Sequence, residues 1–234
     1  VYDRFAERYG EYFGNTIAAI FTDEPGLLAR VNRDELAPGT TGILPEVNRL
    51  LGYDFTEHLP ALWYDDEPDV LHYRDEYMRG IKLRMNETYY AQLHAWCERH
   101  GLDLTGHPAY PDEIGPLRFF HVPGQDTVWR GVIPDDPKAL EGRESTQAKC
   151  TSSAMIHLGR RRNGNECCGA YGHNLTWEEM VWLAHWCFVR GVSWLFPHAF
   201  YYSLRGPRID ERPPDVGHNA AWWDRYPRYA DACR

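Results

Sequence analysis

Two carboxylates, Glu24 and Glu166, stand at the ends of strand-like runs: Glu24 closes Ile20-Phe21-Thr22-Asp23, and Glu166 immediately precedes Cys167. Glycoside hydrolysis needs such a pair, one carboxylic acid to protonate the departing oxygen and a second carboxylate to attack the anomeric carbon or activate water. No other cofactor-free chemistry fits so simply. A working pair must face one another across a cleft, at about 5 to 5.5 Å for retention or about 6.5 to 9.5 Å for inversion. If extended geometry persists to the end of the first run, Asp23 and Glu24 point to opposite faces and only one of them enters that cleft.

The histidines offer a rival chemistry. His107, His121 and His198 lie near strand ends, where a metal-dependent hydrolase would hold zinc to activate water. A lone His in such a place more often orients a substrate hydroxyl, so His107 and His198 are also candidate substrate-binding residues and no metal ligand is assigned. His94, His157 and His185 fall within predicted helices and read as structural. Aromatic side chains add a third signal. Tyr201 and Tyr202 follow His198, and Trp129 follows Gln125-Asp126. Flat faces of that kind stack on the C–H faces of a sugar, and polar groups such as Asp23, Gln125 and Asp126 bind its hydroxyls.

The elements that must position these residues alternate between helical periodicity and short apolar runs, the pattern of an α/β protein with a parallel sheet. A helix is expected over Tyr2–Phe13, then a strand over Thr16–Thr22 whose near-continuous apolar character suits burial on both faces. An elaborated loop with short helical pieces fills Leu27–Asp69. The four-residue spacing of Tyr73, Tyr77, Ile81, Met85, Tyr89 and Leu93 predicts a long helix over Val70–His100, closed by Gly101. Strands are expected at Leu102–Thr105, Arg118–Val122 and Val192–Phe196. A helix is expected over Ser145–Leu158, followed by Asn163–Gly169. The capping box at Thr176-Trp177-Glu178-Glu179 opens another helix through Arg190. The tail reads as a long loop into a final helix.

Five strand-like runs with helices between most of them fit the C-terminal half of a (β/α)8 barrel, a single partial catalytic domain over residues 1–234. A doubly wound open sheet is the alternative, but no Gly-rich dinucleotide fingerprint or P-loop follows any strand. In either architecture the strand ends share one pocket. Half a barrel leaves open strand edges, so the isolated chain is expected to associate and to lack activity.

Composition excludes other classes. The 234 residues carry 25 Lys+Arg against 34 Asp+Glu, a net charge of -9, which is the wrong sign for tracking phosphates and excludes a nucleic-acid partner. No apolar run approaches a membrane span. Six cysteines form no CxxC pair, and vicinal Cys167 and Cys168 read as small buried hydrophobes. The chain opens Val1-Tyr2-Asp3 without Met or signal peptide, which reads as a fragment whose localisation is unknown beyond its soluble composition.

Five blocks taken together resemble a family: Phe21-Thr22-Asp23-Glu24-Pro25, Thr105-Gly106-His107-Pro108, Val122-Pro123-Gly124-Gln125-Asp126, Asn165-Glu166-Cys167-Cys168-Gly169-Ala170-Tyr171-Gly172 and Pro197-His198-Ala199-Phe200-Tyr201-Tyr202-Ser203. The chain is similar to the catalytic barrel of bacterial glycoside hydrolases related to the family 106 α-L-rhamnosidases. The resemblance implies barrel strands four to eight, with Glu24 after strand four as proton donor and Glu166 after strand seven as nucleophile or base. It also implies an oligosaccharide or glycoside substrate, and an N-terminal barrel half and accessory domains beyond this chain. Calcium is associated with that family, but its ligands have no match here. A catalytically inactive carbohydrate-binding barrel is the non-enzymatic alternative.

Overall fold

The computed structural model describes residues 1–27, 36–66, 68–203, 205–207 and 212–234. The chain divides into two units: Val1–Glu24 with His100–Arg234, and Pro25–Arg99.

The first unit holds every strand found among the described residues. β1 (Ala19–Asp23) pairs in parallel with β2 (Asp103–His107), and β3 (Gly124–Val128), β4 (Gly164–Gly169) and β5 (Trp194–Pro197) form a second parallel sheet in that order. The fold is therefore α/β with small parallel sheets. β2 and β3 approach backbone to backbone, because a Cβ on Gly124 would overlap the Gly106 carbonyl. Gly106 itself has φ +109, and a Cβ there would overlap the Thr22 carbonyl of β1, so glycine is required on both counts. Five strands laid flat would separate the first from the last by about 19 Å at the usual strand spacing. Yet the rings of Phe21 on β1 and Phe196 on β5 meet edge to face with centroids 5.7 Å apart. The strands must curl strongly toward the side on which these rings lie.

Outside this curl, α5 (Gln147–His157), α6 (Trp177–Phe188) and α7 (Tyr226–Ala232) cover the strands. The core gathers Cys167, Cys168, Tyr171, Met180, Leu183, Trp186 and Cys187, and the five cysteines other than Cys233 are free and buried. Transferring these apolar groups from water is what drives the helices onto the sheet. The capping box forms as the sequence predicts: Thr176 Oγ1 accepts from the Glu179 amide at 3.1 Å, and Glu179 Oε2 accepts from the Thr176 amide at 3.0 Å.

The second unit is helical. α2 (Ile43–Leu51) packs on α3 (Val70–Met85) around Val47, Phe55, Tyr77 and Ile81. Gly80 is where the helices touch, since a Cβ there would press on Val47. The expected long helix runs through a π turn at Asn86–Tyr90 into α4 (Ala91–Arg99). Within that turn Thr88 Oγ1 donates to the Arg84 carbonyl at 2.8 Å, competing for an acceptor of the regular ladder. No helix among the described residues is long and apolar enough to cross a membrane.

Three expectations are corrected. The first helix, α1 (Tyr2–Tyr9), stops short of Phe13 and passes into a 3-10 turn, Gly10–Tyr12. Arg118–Val122 is not a strand: Gly115–Phe119 is a 3-10 turn that buries Leu117 and Phe120 at a spacing of three, and the strand is the polar segment that follows, Gly124–Val128. β1 begins at Ala19 and is not buried on both faces, because Thr22 is the one buried residue of its five and Phe21 is 40% exposed.

Candidate active site

Parallel strands direct all their C-terminal ends to one side, and those ends carry the charged residues. The register sets Asp23 of β1 beside His107 of β2, and Asp126 of β3 beside Glu166 of β4, with Phe196 of β5 next in the row. Alternation along β3 sends Asp126 and Gln125 to opposite faces.

His107 is the hub. Its side chain is 2% exposed. Nε2 lies 3.0 Å from Glu166 Oε2 and 3.5 Å from Asp23 Oδ1, while Nδ1 lies 3.1 Å from the Pro108 carbonyl and 4.0 Å from Asp126 Oδ1. Burial works against a charge on this ring, but the hydrogen bond to Glu166, the negative charges of Asp126 and Glu166 and the Pro108 carbonyl prevail and push its pKa up to about 9. Asp126 moves in the unusual direction for a carboxyl group. Burial raises it, His107 opposes the rise, and the charges of Glu24 and Glu166 add to it, leaving its pKa at about 7.

Glu24 joins the same cluster. One ligand atom from each of Asp23, Glu24 and His107 lies within 4.8 Å of the other two. The expectation that Asp23 and Glu24 would diverge is thus corrected. Glu24 has φ +40, outside the extended region, so the chain turns at that residue and both carboxylates come to one imidazole. Glu166 is also differently placed from the expectation, within β4 and not after it, with its side chain 15% exposed. A bulge explains the neighbouring cysteines: the register shifts between Thr127 and Val128, Cys168 has φ +73, and both Cys167 and Cys168 are buried.

His198 approaches the other oxygen of Glu166, Nε2 to Oε1 at 3.8 Å, and its amide donates to the Cys167 carbonyl at 2.8 Å. The Tyr201 ring stands edge to face on His198 with centroids 6.0 Å apart, and Tyr201 donates its hydroxyl to the Arg212 carbonyl at 2.6 Å. The Arg212 guanidinium lies over the Trp129 ring, 5.2 Å from its centroid. Glu166, His198, Tyr201, Arg212 and Trp129 therefore form a continuous run from the buried cluster to an exposed aromatic ring. The turn after β3 is held by Arg130, which donates to the Tyr171 carbonyl at 3.1 Å and pairs with Glu179 of the capping box.

Three other sequence candidates have different surroundings. Gln125 is fully buried on the face of β3 turned from Asp126, and its Nε2 reaches the Tyr110 carbonyl at 3.4 Å. Tyr202 is 97% exposed. His121 does not join His107 and His198 in a ligand cluster, because its Nδ1 accepts the Leu104 amide in β2 at 2.9 Å. The aromatic pair Phe21 and Phe196 went unassigned as a pair in the sequence. Its signal is positional, since Phe21 precedes Asp23 by two residues and Phe196 precedes His198 by two, the spacing of one strand face.

Asp23, Glu24 and His107 have the spacing of a cation site, but the His107 nitrogens are engaged with Glu166 and the Pro108 carbonyl in this arrangement.

No family model matches the chain, and no curated protein sequence matches it. Among solved structures the chain is similar to a rhamnosidase from Novosphingobium sp. PP1Y, with a TM-score of 0.66 and 14% sequence identity. The match covers 99% of this chain and 23% of the rhamnosidase chain, so this chain spans less than a quarter of that protein's length. At this identity the likeness is one of fold.

Proposed function

We propose that this chain is the C-terminal half of a (β/α)8 barrel in a glycoside hydrolase, with Glu24 as proton donor and Glu166 as nucleophile or base. The observation that carries the reading is the meeting of both carboxylates at one buried imidazole and one buried carboxyl, His107 and Asp126, at the C-terminal ends of parallel strands. Glu24 hands its proton to the glycosidic oxygen as the C–O bond breaks, so the leaving alcohol departs neutral. Glu166 then receives the anomeric carbon directly, or takes a proton from the water that attacks it. The exposed Trp129 ring and the Tyr201 side chain at the rim supply stacking and polar contacts for sugar rings. Sugar is the substrate class that joins these features, and the similarity to a rhamnosidase makes an α-L-rhamnoside the first candidate.

A panel of aryl glycosides, the α-L-rhamnoside among them, offered to the full-length polypeptide tests the reading. Release of the phenol from at least one member, abolished in Glu166→Gln and sharply reduced in Glu24→Gln wherever the phenol needs a proton to depart, is the expected result. Oligosaccharide binding without release from any member of the panel would point to an inactive carbohydrate-binding barrel instead.

A further inference from the structure

We propose that His107 is a buried imidazolium at neutral pH that positions the Glu166 carboxylate, and that it does not contact the substrate. A neutral imidazole carries one N–H and one lone pair, so it must meet one acceptor and one donor. His107 meets acceptors on both sides: Nδ1 faces the Pro108 carbonyl at 3.1 Å, and Nε2 faces Glu166 Oε2 at 3.0 Å. With Glu166 ionised, as a nucleophile or base must be, either neutral tautomer would set a lone pair against an oxygen lone pair at hydrogen-bond distance inside the protein. The doubly protonated ring satisfies both contacts and leaves Glu166 ionised.

The surroundings agree from every side. Asp23 and Glu24 approach from the end of β1, Asp126 from β3 and Glu166 from β4, while the edge of the Phe21 ring closes the remaining side. Among the described residues no Lys or Arg pairs with Asp23, Asp126 or Glu166; the basic side chains that meet these carboxylates are the imidazoles of His107 and His198. One fixed positive charge thus lets a group of carboxylates share a small volume. It also fixes one oxygen of Glu166 and leaves the other turned toward His198 and the rim. A ring that is 2% exposed, with both nitrogens committed to the protein, has no polar atom left for a sugar hydroxyl.

This inference deepens the glycosidase reading of the same site, but the proton count on His107 can be measured without any substrate. Histidine-selective 15N magnetic resonance, in solution or by magic-angle spinning, reads both ring nitrogens in the unaltered protein. Two protonated nitrogens at neutral pH, persisting until the pH passes about 9, are expected. A single protonated nitrogen at neutral pH would overturn the proposal. In Glu166→Gln the ring should lose its second proton at lower pH, and an unchanged titration would also overturn it. The kinetic arm uses His107→Gln in the full-length polypeptide. If His107 positions Glu166, kcat falls about 100-fold while KM stays within about twofold, because misplacing a reacting group costs turnover and not binding. The wild-type decline in activity above about pH 9 should also disappear. A raised KM at unchanged kcat would instead make His107 a substrate ligand. If the wild-type protein cleaves no glycoside, the glycosidase reading fails and the 15N measurement still decides the charge. If His107→Gln does not fold, the unaltered protein and Glu166→Gln carry the test.

Discussion

Charge is handled in opposite ways in the two units. In the helical unit the ion pairs sit at the surface: Arg49 meets Glu46 and Glu87, and Arg79 meets Glu76, with the arginine side chains more than half exposed. Water and salt screen such pairs, and their net worth is small. At the strand ends of the first unit, Asp126, Glu166 and His107 are all at least 85% buried as side chains. Taking such groups out of water is costly unless each is paired and hydrogen-bonded. A fold that needed only stability could bury hydrophobes there. Charges kept at that cost, in one cluster at the ends of parallel strands, are what the proposed function puts to use.

The contrast can be broken most directly at Glu166. Removing its carboxylate in Glu166→Ala strands the His107 charge, and the unfolding free energy should fall by about 3 to 5 kcal/mol in denaturant titration. In the helical unit a loss of that size should require a core residue, such as Phe55→Ala, at about 3 to 5 kcal/mol. Equal tolerance of Glu166→Ala and a surface substitution would erase the distinction.

The pH dependence sharpens it further. Asp126 rises from 3.8 unfolded to about 7 folded, and His107 rises from 6.5 to about 9. In both cases the folded protein binds the extra proton, so stability falls as pH rises. The Asp126 contribution is present below its unfolded value and lost as pH climbs to about 7. The His107 contribution is complete below 6.5 and lost as pH climbs through about 9. Both contributions therefore make the thermal midpoint decline from about pH 5 to pH 10, and Asp126→Asn should flatten the portion below 7. A midpoint that rises over this range would contradict the buried cluster.

Smaller effects are expected at the surface. Thr176→Ala removes the hydroxyl of the α6 capping box and should cost about 1 kcal/mol in the same titration. Arg49→Ala, which breaks the surface pairs with Glu46 and Glu87, should leave the midpoint unmoved.

Much of the scaffold was legible because it obeys local rules. The capping residues of α6, the apolar spacing along α3 and α4, and the apolar runs that became β1, β2 and β5 signal their structure within a few residues. β3 was hidden for the opposite reason. Gln125, Asp126 and Thr127 are polar yet buried, so hydrophobicity pointed instead to Phe119-Phe120, which pack from a 3-10 turn beginning at Gly115. The meeting of Asp23 with Glu24 was hidden as well, because it depends on the positive φ of Glu24, which residue type does not announce. Both departures from local rules fall at the cluster itself, where function competes with regular structure.

The central claim assigns different work to Glu24 and Glu166, and leaving-group dependence separates the two roles. The measurement is kcat/KM of Glu24→Gln and Glu166→Gln in the full-length polypeptide, on aryl glycosides of the cleaved sugar that range from an acidic dinitrophenol to an unactivated phenol. An acidic phenol departs without a proton. Glu24→Gln should therefore retain most of its activity on the dinitrophenyl glycoside while losing about 100-fold to 10,000-fold on the unactivated one, and Glu166→Gln should lose comparably on both. Equal losses across the series for Glu24→Gln, or full activity in Glu166→Gln, would contradict the two-carboxylate account.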